Sequence, residues 1–182
     1  MEFNRCRRSL MLGLAGAGIG NALLQDNAEA ETAAGAAAGY VLGPNQGEQL
    51  IQRGGSIFIK TDPSRGSGGV AMGTQQVLAG VGIPIHRHFQ MDEAFYVIEG
   101  SGTFILDDVR HPIEKGGSIF IPRNAWHGFE NADRELLLLW VVTPPGLEAF
   151  FREVASLPGA PPKSRTKEQL NEIARKYGTE FR

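Results

Sequence analysis

The segment HRHFQMDE, residues 86–93, sets two of the chain's four histidines beside two carboxylates. Neutral imidazole nitrogen and carboxylate oxygen together bind divalent transition metals, so His86, His88 and Glu93 are candidate ligands of one ion. The alternative is a chance cluster on a solvated surface. Thiolate ligation and disulfides are set aside. Cys6 is the only cysteine and precedes an apolar N-terminal stretch, so a mature chain without that stretch has no thiol.

Convergence of these side chains depends on the elements that carry them. From about 47 to 143 the chain runs through short segments rich in β-branched and aromatic residues: SIFIK, TQQVLAG, EAFYVIEG, GTFILD, GSIFIP and ELLLLWVVT. Glycine, proline or aspartate bounds each one, and LDDVRHP reads as a hairpin connection. The 24 glycines and 10 prolines suit such a pattern better than a helical one. An all-β sandwich or barrel is expected over 47–143. Residues 31–46, rich in alanine and glycine toward their start, read as a linker.

Two helices are expected in an extension over 144–182. Leu147, Phe150, Phe151 and Val154 recur at helical spacing, as do Leu170, Ile173, Ala174 and Tyr177. Thr166 and Gln169 are spaced as a capping box, and Gly178 stands as a stop. The apolar faces are expected to close the barrel's flank.

On a strand, His86 and His88 point to one face. A turn through FQMD brings Glu93 back toward the same space, and His127 opens a further strand after PRNAW. Three imidazoles and one carboxylate can then surround one point and leave positions open on an octahedral ion. Gly80, His86, His88, Glu93 and Gly100 form one spaced pattern; Gly116, Pro122, His127 and Asn131 form another. Together they resemble the two motifs of the cupin superfamily, G(X)5HXH(X)3-4E(X)6G and G(X)5PXG(X)2H(X)3N. One departure is Asn124, which stands at the glycine of the second motif; asparagine tolerates the left-handed backbone that glycine would adopt. The resemblance implies a double-stranded β-helix, or jelly-roll barrel, with His86, His88, Glu93 and His127 as metal ligands. LEAFFREV and ARKYG in the tail also resemble small bacterial cupins similar to quercetin 2,3-dioxygenase.

The ligand types do not choose among iron, manganese, nickel, cobalt, copper and zinc. Phe89, Phe95, Val97, Phe104, Phe120 and Phe129 lie in or near the motif strands, and alternation should send several inward. Only Arg87 and Arg123 stand beside the ligands in sequence, which disfavours a sugar-phosphate substrate. An apolar pocket with an open metal position suits a dioxygenase of a small aromatic or enolic compound. Glu93 would serve it as both ligand and catalytic proton acceptor. A non-catalytic metal- or small-molecule-binding cupin of the cell envelope is the alternative, as is a cupin isomerase or lyase; stoichiometric oxygen consumption separates these from the first. His111 reads as solvated, Asp92 as part of a turn, and Trp126 and Trp140 as packing residues.

The first thirty residues read as an export signal. A basic start precedes an apolar glycine- and alanine-rich stretch, and AEA at 28–30 offers a cleavage site. Arg7 and Arg8 before Ser9, Leu10 and Met11 point to a twin-arginine route, which carries folded proteins, and hence to a periplasmic or otherwise extracytoplasmic location. An ordinary secretory signal or an anchor is the alternative. Folded export would allow manganese or iron to be installed before copper or zinc can compete, which slightly favours those two ions. No stable membrane span is expected in the mature chain. A net charge of −2 points to no nucleic-acid partner. A small-molecule substrate and a possible homodimer complete the expected partners.

Overall fold

In the strand Leu136–Thr143, LLLLWVVT, Leu136, Leu138, Trp140 and Val142 are buried while the side chains between them are not. That alternation marks a strand with one face on a core, and each large buried side chain contributes about 1.5–3 kcal/mol. The computed structural model describes residues 38–130 and 134–182. The export segment 1–30, the linker up to residue 37 and Asn131 lie outside the described residues.

Eleven strands are described. In chain order they are β1 (Glu48–Gln52), β2 (Gly55–Thr61), β3 (Ala71–Val77), β4 (Ile83–His88), β5 (Asp92–Glu99), β6 (Ser101–Leu106), β7 (Val109–Glu114), β8 (Ser118–Ile121), β9 (His127–Glu130), β10 (Leu136–Thr143) and β11 (Thr179–Phe181). Two helices, α1 (Leu147–Val154) and α2 (Lys167–Lys176), lie between β10 and β11. One antiparallel sheet has the order β1-β2-β3-β10-β5-β8, the other β11-β4-β9-β6-β7. Ile57, Ile59 and Val97 of the first sheet share a core with Phe104 and Phe129 of the second. The edge-to-face contact of Phe95 and Phe129, with centroids 5.1 Å apart, joins the two. Gly73 leaves room for the indole: a Cβ there would lie 2.5 Å from a ring carbon of Trp140. This is the all-β jelly roll with two C-terminal helices that the sequence led us to expect.

Three strands differ from the sequence reading. The hairpin connection is shorter than LDDVRHP: Asp107 and Asp108 alone make the turn, with φ of 47° and 68°. Two successive left-handed residues match the twist of a two-residue hairpin. Val109–Glu114 then pairs with β6 as an edge strand, where Pro112 is tolerated. β1 buries only Leu50 fully, so it carries no alternation to read. β11 is three residues long and exists because it pairs with β4. The extension 144–182 therefore contributes a strand as well as its helices.

Leu147, Phe150, Phe151 and Val154 of α1 are all buried. Arg152 ties this helix to the sheet by bonding Glu48 at 2.6 Å and by pairing with the wholly buried Asp62. α2 has the expected capping box between Thr166 and Gln169, and Gly178 (φ 66°) turns the chain into β11. The linker's end is also held: Lys60 Nζ donates to the carbonyls of Gly43, Pro44 and Gln46. No helix among the described residues is long and apolar enough to cross a membrane.

Candidate metal centre

β4 aims His86 and His88 at one face, β5 begins with Asp92 and Glu93, and β9 begins with His127. Pairing of His86 with His127 across β4 and β9 sets two of the rings side by side, with centroids 4.1 Å apart. Each of the four residues offers one ligand atom, and these atoms lie within 4.8 Å of one another. Exposure of 6% for His86, 2% for His88 and Glu93 and 0% for His127 removes the solvated-surface alternative.

The loop before His127 is fixed by two neighbours. Asn124 adopts φ 71°, the left-handed conformation expected of it, and its N–H donates to His88 O at 2.7 Å. Arg123 donates from its backbone and its guanidinium to Asp92, which pulls that carboxyl down to about 2. Asp92 is thus the turn residue that links the start of β5 to the approach of β9.

Hydrogen bonds behind the rings decide what the ring nitrogens offer in front. Nδ1 of His86 lies 2.8 Å from Pro84 O, and Nδ1 of His127 lies 3.0 Å from Ala125 O. A carbonyl only accepts, so both rings carry hydrogen on Nδ1 and, when neutral, present a lone pair on Nε2. Nε2 of His127 faces Glu93 Oε2 at 3.0 Å, and Nε2 of His88 faces the same oxygen at 3.2 Å. A neutral imidazole nitrogen and a carboxylate oxygen are both acceptors, so that contact calls for a cation, either a proton or a metal ion. The donor set fits a divalent transition metal. Burial would raise the Glu93 carboxyl, but where the cation is a proton on Nε2 of His127 and His88, their hydrogen bonds outweigh burial and hold the group far below the usual carboxylate range. Burial above all pushes His86 well below its ordinary value, which keeps its imidazole neutral and able to coordinate.

Thr179 is a site residue that sequence reasoning missed. Its side chain is fully buried, and Oγ1 lies 2.8 Å from Nδ1 of His88. Pairing of Thr179 with His88 across β11 and β4 makes the contact, and no local motif announces it.

A cavity of about 30 Å³ adjoins the candidate ligands. Phe95, Leu147, Phe150, Phe151 and Phe181 form its apolar wall, so α1 roofs the site as well as closing the barrel's flank. Of the aromatic residues expected to turn inward, Phe95, Phe104 and Phe129 do so with Val97, whereas Phe89 and Phe120 are exposed. Trp140 is core; the guanidinium groups of Arg87 and Arg182 lie over the Trp126 ring, 4.5 and 5.2 Å from its centroid. His111 is exposed on β7. The cation that lines the cavity is neither Arg87, which pairs with Glu180, nor Arg123, but Arg53 from the β1–β2 turn.

Comparisons with known proteins bear on the same residues. A family model described as "Cupin domain" matches residues 73–142. Protein SchB of Streptomyces halstedii is 34% identical over 95 residues, which cover 51% of this chain and 69% of that one. An uncharacterized protein of Methanocaldococcus jannaschii is 34% identical over 65 residues, 32% of this chain; the match spans about half that relative, 52% of its length. Among solved structures, an RmlC-like cupin from Shewanella frigidimarina superposes with a TM-score of 0.54 at 18% identity, covering 62% of this chain and 96% of that one. The polyketide cyclase RemF from Streptomyces resistomycificus gives 0.53 at 24% identity, covering 59% and 83%. These two share the fold. With two facing sheets, a buried three-histidine, one-glutamate cluster and a matching domain model, the chain belongs to the cupin superfamily.

Proposed function

We propose that this protein is a metal-dependent dioxygenase of a small enolic or aromatic compound, with His86, His88, Glu93 and His127 holding the ion. The observation that carries the reading is the small phenylalanine-walled cavity beside the four ligands. About 30 Å³ has room for one molecule the size of water or O₂, and apolar walls favour the latter. A divalent ion held there would supply Lewis acidity and, if redox-active, electrons for O₂.

The chain's own residues would do the rest. Phe95, Phe150, Phe151 and Phe181 exclude water from the reacting face. Both histidine contacts fall on Oε2 of Glu93, which leaves Oε1 to take the hydroxyl proton of an enol or phenol. The test is an oxygen electrode with metal-assayed protein and a series of chelating enols. Consumption of one O₂ per substrate supports the reading, and no consumption with any of them sinks it. A non-catalytic binding cupin is the second reading, favoured by the smallness of the cavity; it predicts ligand binding with no oxygen uptake.

Export belongs to the same proposal. Arg7→Lys together with Arg8→Lys preserves charge but should hold a twin-arginine precursor in the cytoplasm. Undiminished export of that variant would remove the route and, with it, the preference for manganese or iron.

A further inference from the structure

The β1–β2 turn brings Arg53 to a junction. Arg53 and Gln52 line the metal cavity, and both also line an outer cleft of about 410 Å³ bounded by Val154, Lys163, Arg165 and Leu170. Such a volume suits a small ligand, whereas the inner cavity alone does not.

The cations of this cleft are not equivalent. Lys163 Nζ donates to Glu153 O, and Arg165 donates to Val154 O and Glu153 O, so both serve the last carbonyls of α1. The Arg53 side chain is exposed and has no hydrogen-bond or ion-pair partner among the described residues. Gln75, almost wholly buried, lines the inner cavity next to it. An exposed guanidinium that lines the cavity and has no partner in the protein can meet a ligand, and its planar fork matches a planar anion. One free cation suits a single negative charge better than a phosphate dianion.

We infer that Arg53 is the anion-recognition residue of the site, and that the ligand is a small chelating enol bearing a carboxylate, its enol end toward the metal and its carboxylate on Arg53. The inference rests on the open metal position of the dioxygenase reading and deepens it. It also adds a cation from a distant turn to Arg87 and Arg123, the only two that stand beside the candidate ligands in sequence.

Kojic acid and comenic acid test it, because they share a chelating hydroxypyranone ring and differ in a hydroxymethyl against a carboxylate. Binding is measured by calorimetry on cobalt-loaded protein at constant ionic strength. Wild type should bind comenate more tightly than kojic acid by roughly 10- to 100-fold, the range for a charge-assisted hydrogen bond. Arg53→Gln should bring comenate to the kojic acid level. Arg53→Asn, which suits the left-handed backbone at this position (φ 49°), should do the same, with metal content unchanged in both. The phosphate ester of kojic acid should bind less tightly than comenate. Equal affinity of wild type for comenate and kojic acid, survival of the preference in both variants, or stronger binding of the phosphate overturns the assignment of Arg53 while leaving the metal reading intact. Failure of both chelators to bind wild type overturns the two together.

Discussion

Oγ1 of Thr179 lies 2.8 Å from Nδ1 of His88, joining the last strand to a metal-ligand candidate 91 residues earlier. The hydroxyl fixes the ring's orientation from behind, and such partners tune the basicity of the nitrogen in front. Thr179→Val keeps shape and removes the hydrogen bond, so metal affinity should fall by about 10- to 100-fold. Thr179→Ser should retain most of it. Competitive chelator titration measures both, and equal affinity in the valine variant would deny the hydroxyl its positioning role.

Glu93 is proposed as both ligand and proton acceptor, and the roles separate in Glu93→Gln. The amide oxygen can still coordinate, but it takes no proton at neutral pH. Metal content should drop in part, and turnover per bound ion should fall further, by roughly 10²- to 10⁴-fold. Unchanged turnover per ion would make Glu93 a ligand alone.

Asn124 stands at φ 71°, so the stability of its variants should follow the backbone. Asn124→Gly should be nearly neutral and Asn124→Val should cost about 1–2 kcal/mol, read from urea midpoints. A valine variant as stable as wild type would contradict the left-handed turn.

The Asp92–Arg123 pair gives a pH dependence. Arg123 lowers the Asp92 carboxyl to about 2 in the folded protein, against an ordinary value of 3.8. A depressed carboxyl stabilises the fold above its unfolded value, and that contribution disappears as the pH falls through the folded one. The urea-midpoint difference between wild type and Asp92→Asn should therefore be constant above about pH 5, shrink as the pH falls from about 4 through 2, and vanish near pH 1. A difference undiminished at pH 2 would show that the carboxylate's charge does not set it.

What was legible in the sequence is local in character. The candidate ligands His86, His88 and Glu93 sit in one strand–turn–strand unit, Asn124 declares its backbone by residue type, and α1 shows its buried face by spacing. β1 and β11 were not legible, because pairing with β2 and β4 makes them strands and their own residues do not alternate clearly. Thr179 and Arg53 were missed for the same reason. Each reaches the centre through a strand or turn distant from the motifs, and neither residue type is unusual where it stands.

Synthesis runs from residue 1 upward, so β4 exists long before the segment that covers it. Until Phe181 has been made, the edge of β4 lacks its neighbour, His88 lacks the Thr179 hydroxyl and Phe181 is missing from the cavity wall. Contacts so distant in sequence form late in folding. If the cluster holds an ion, firm capture would act as a report of completeness, reached only after the chain has been read through residue 181.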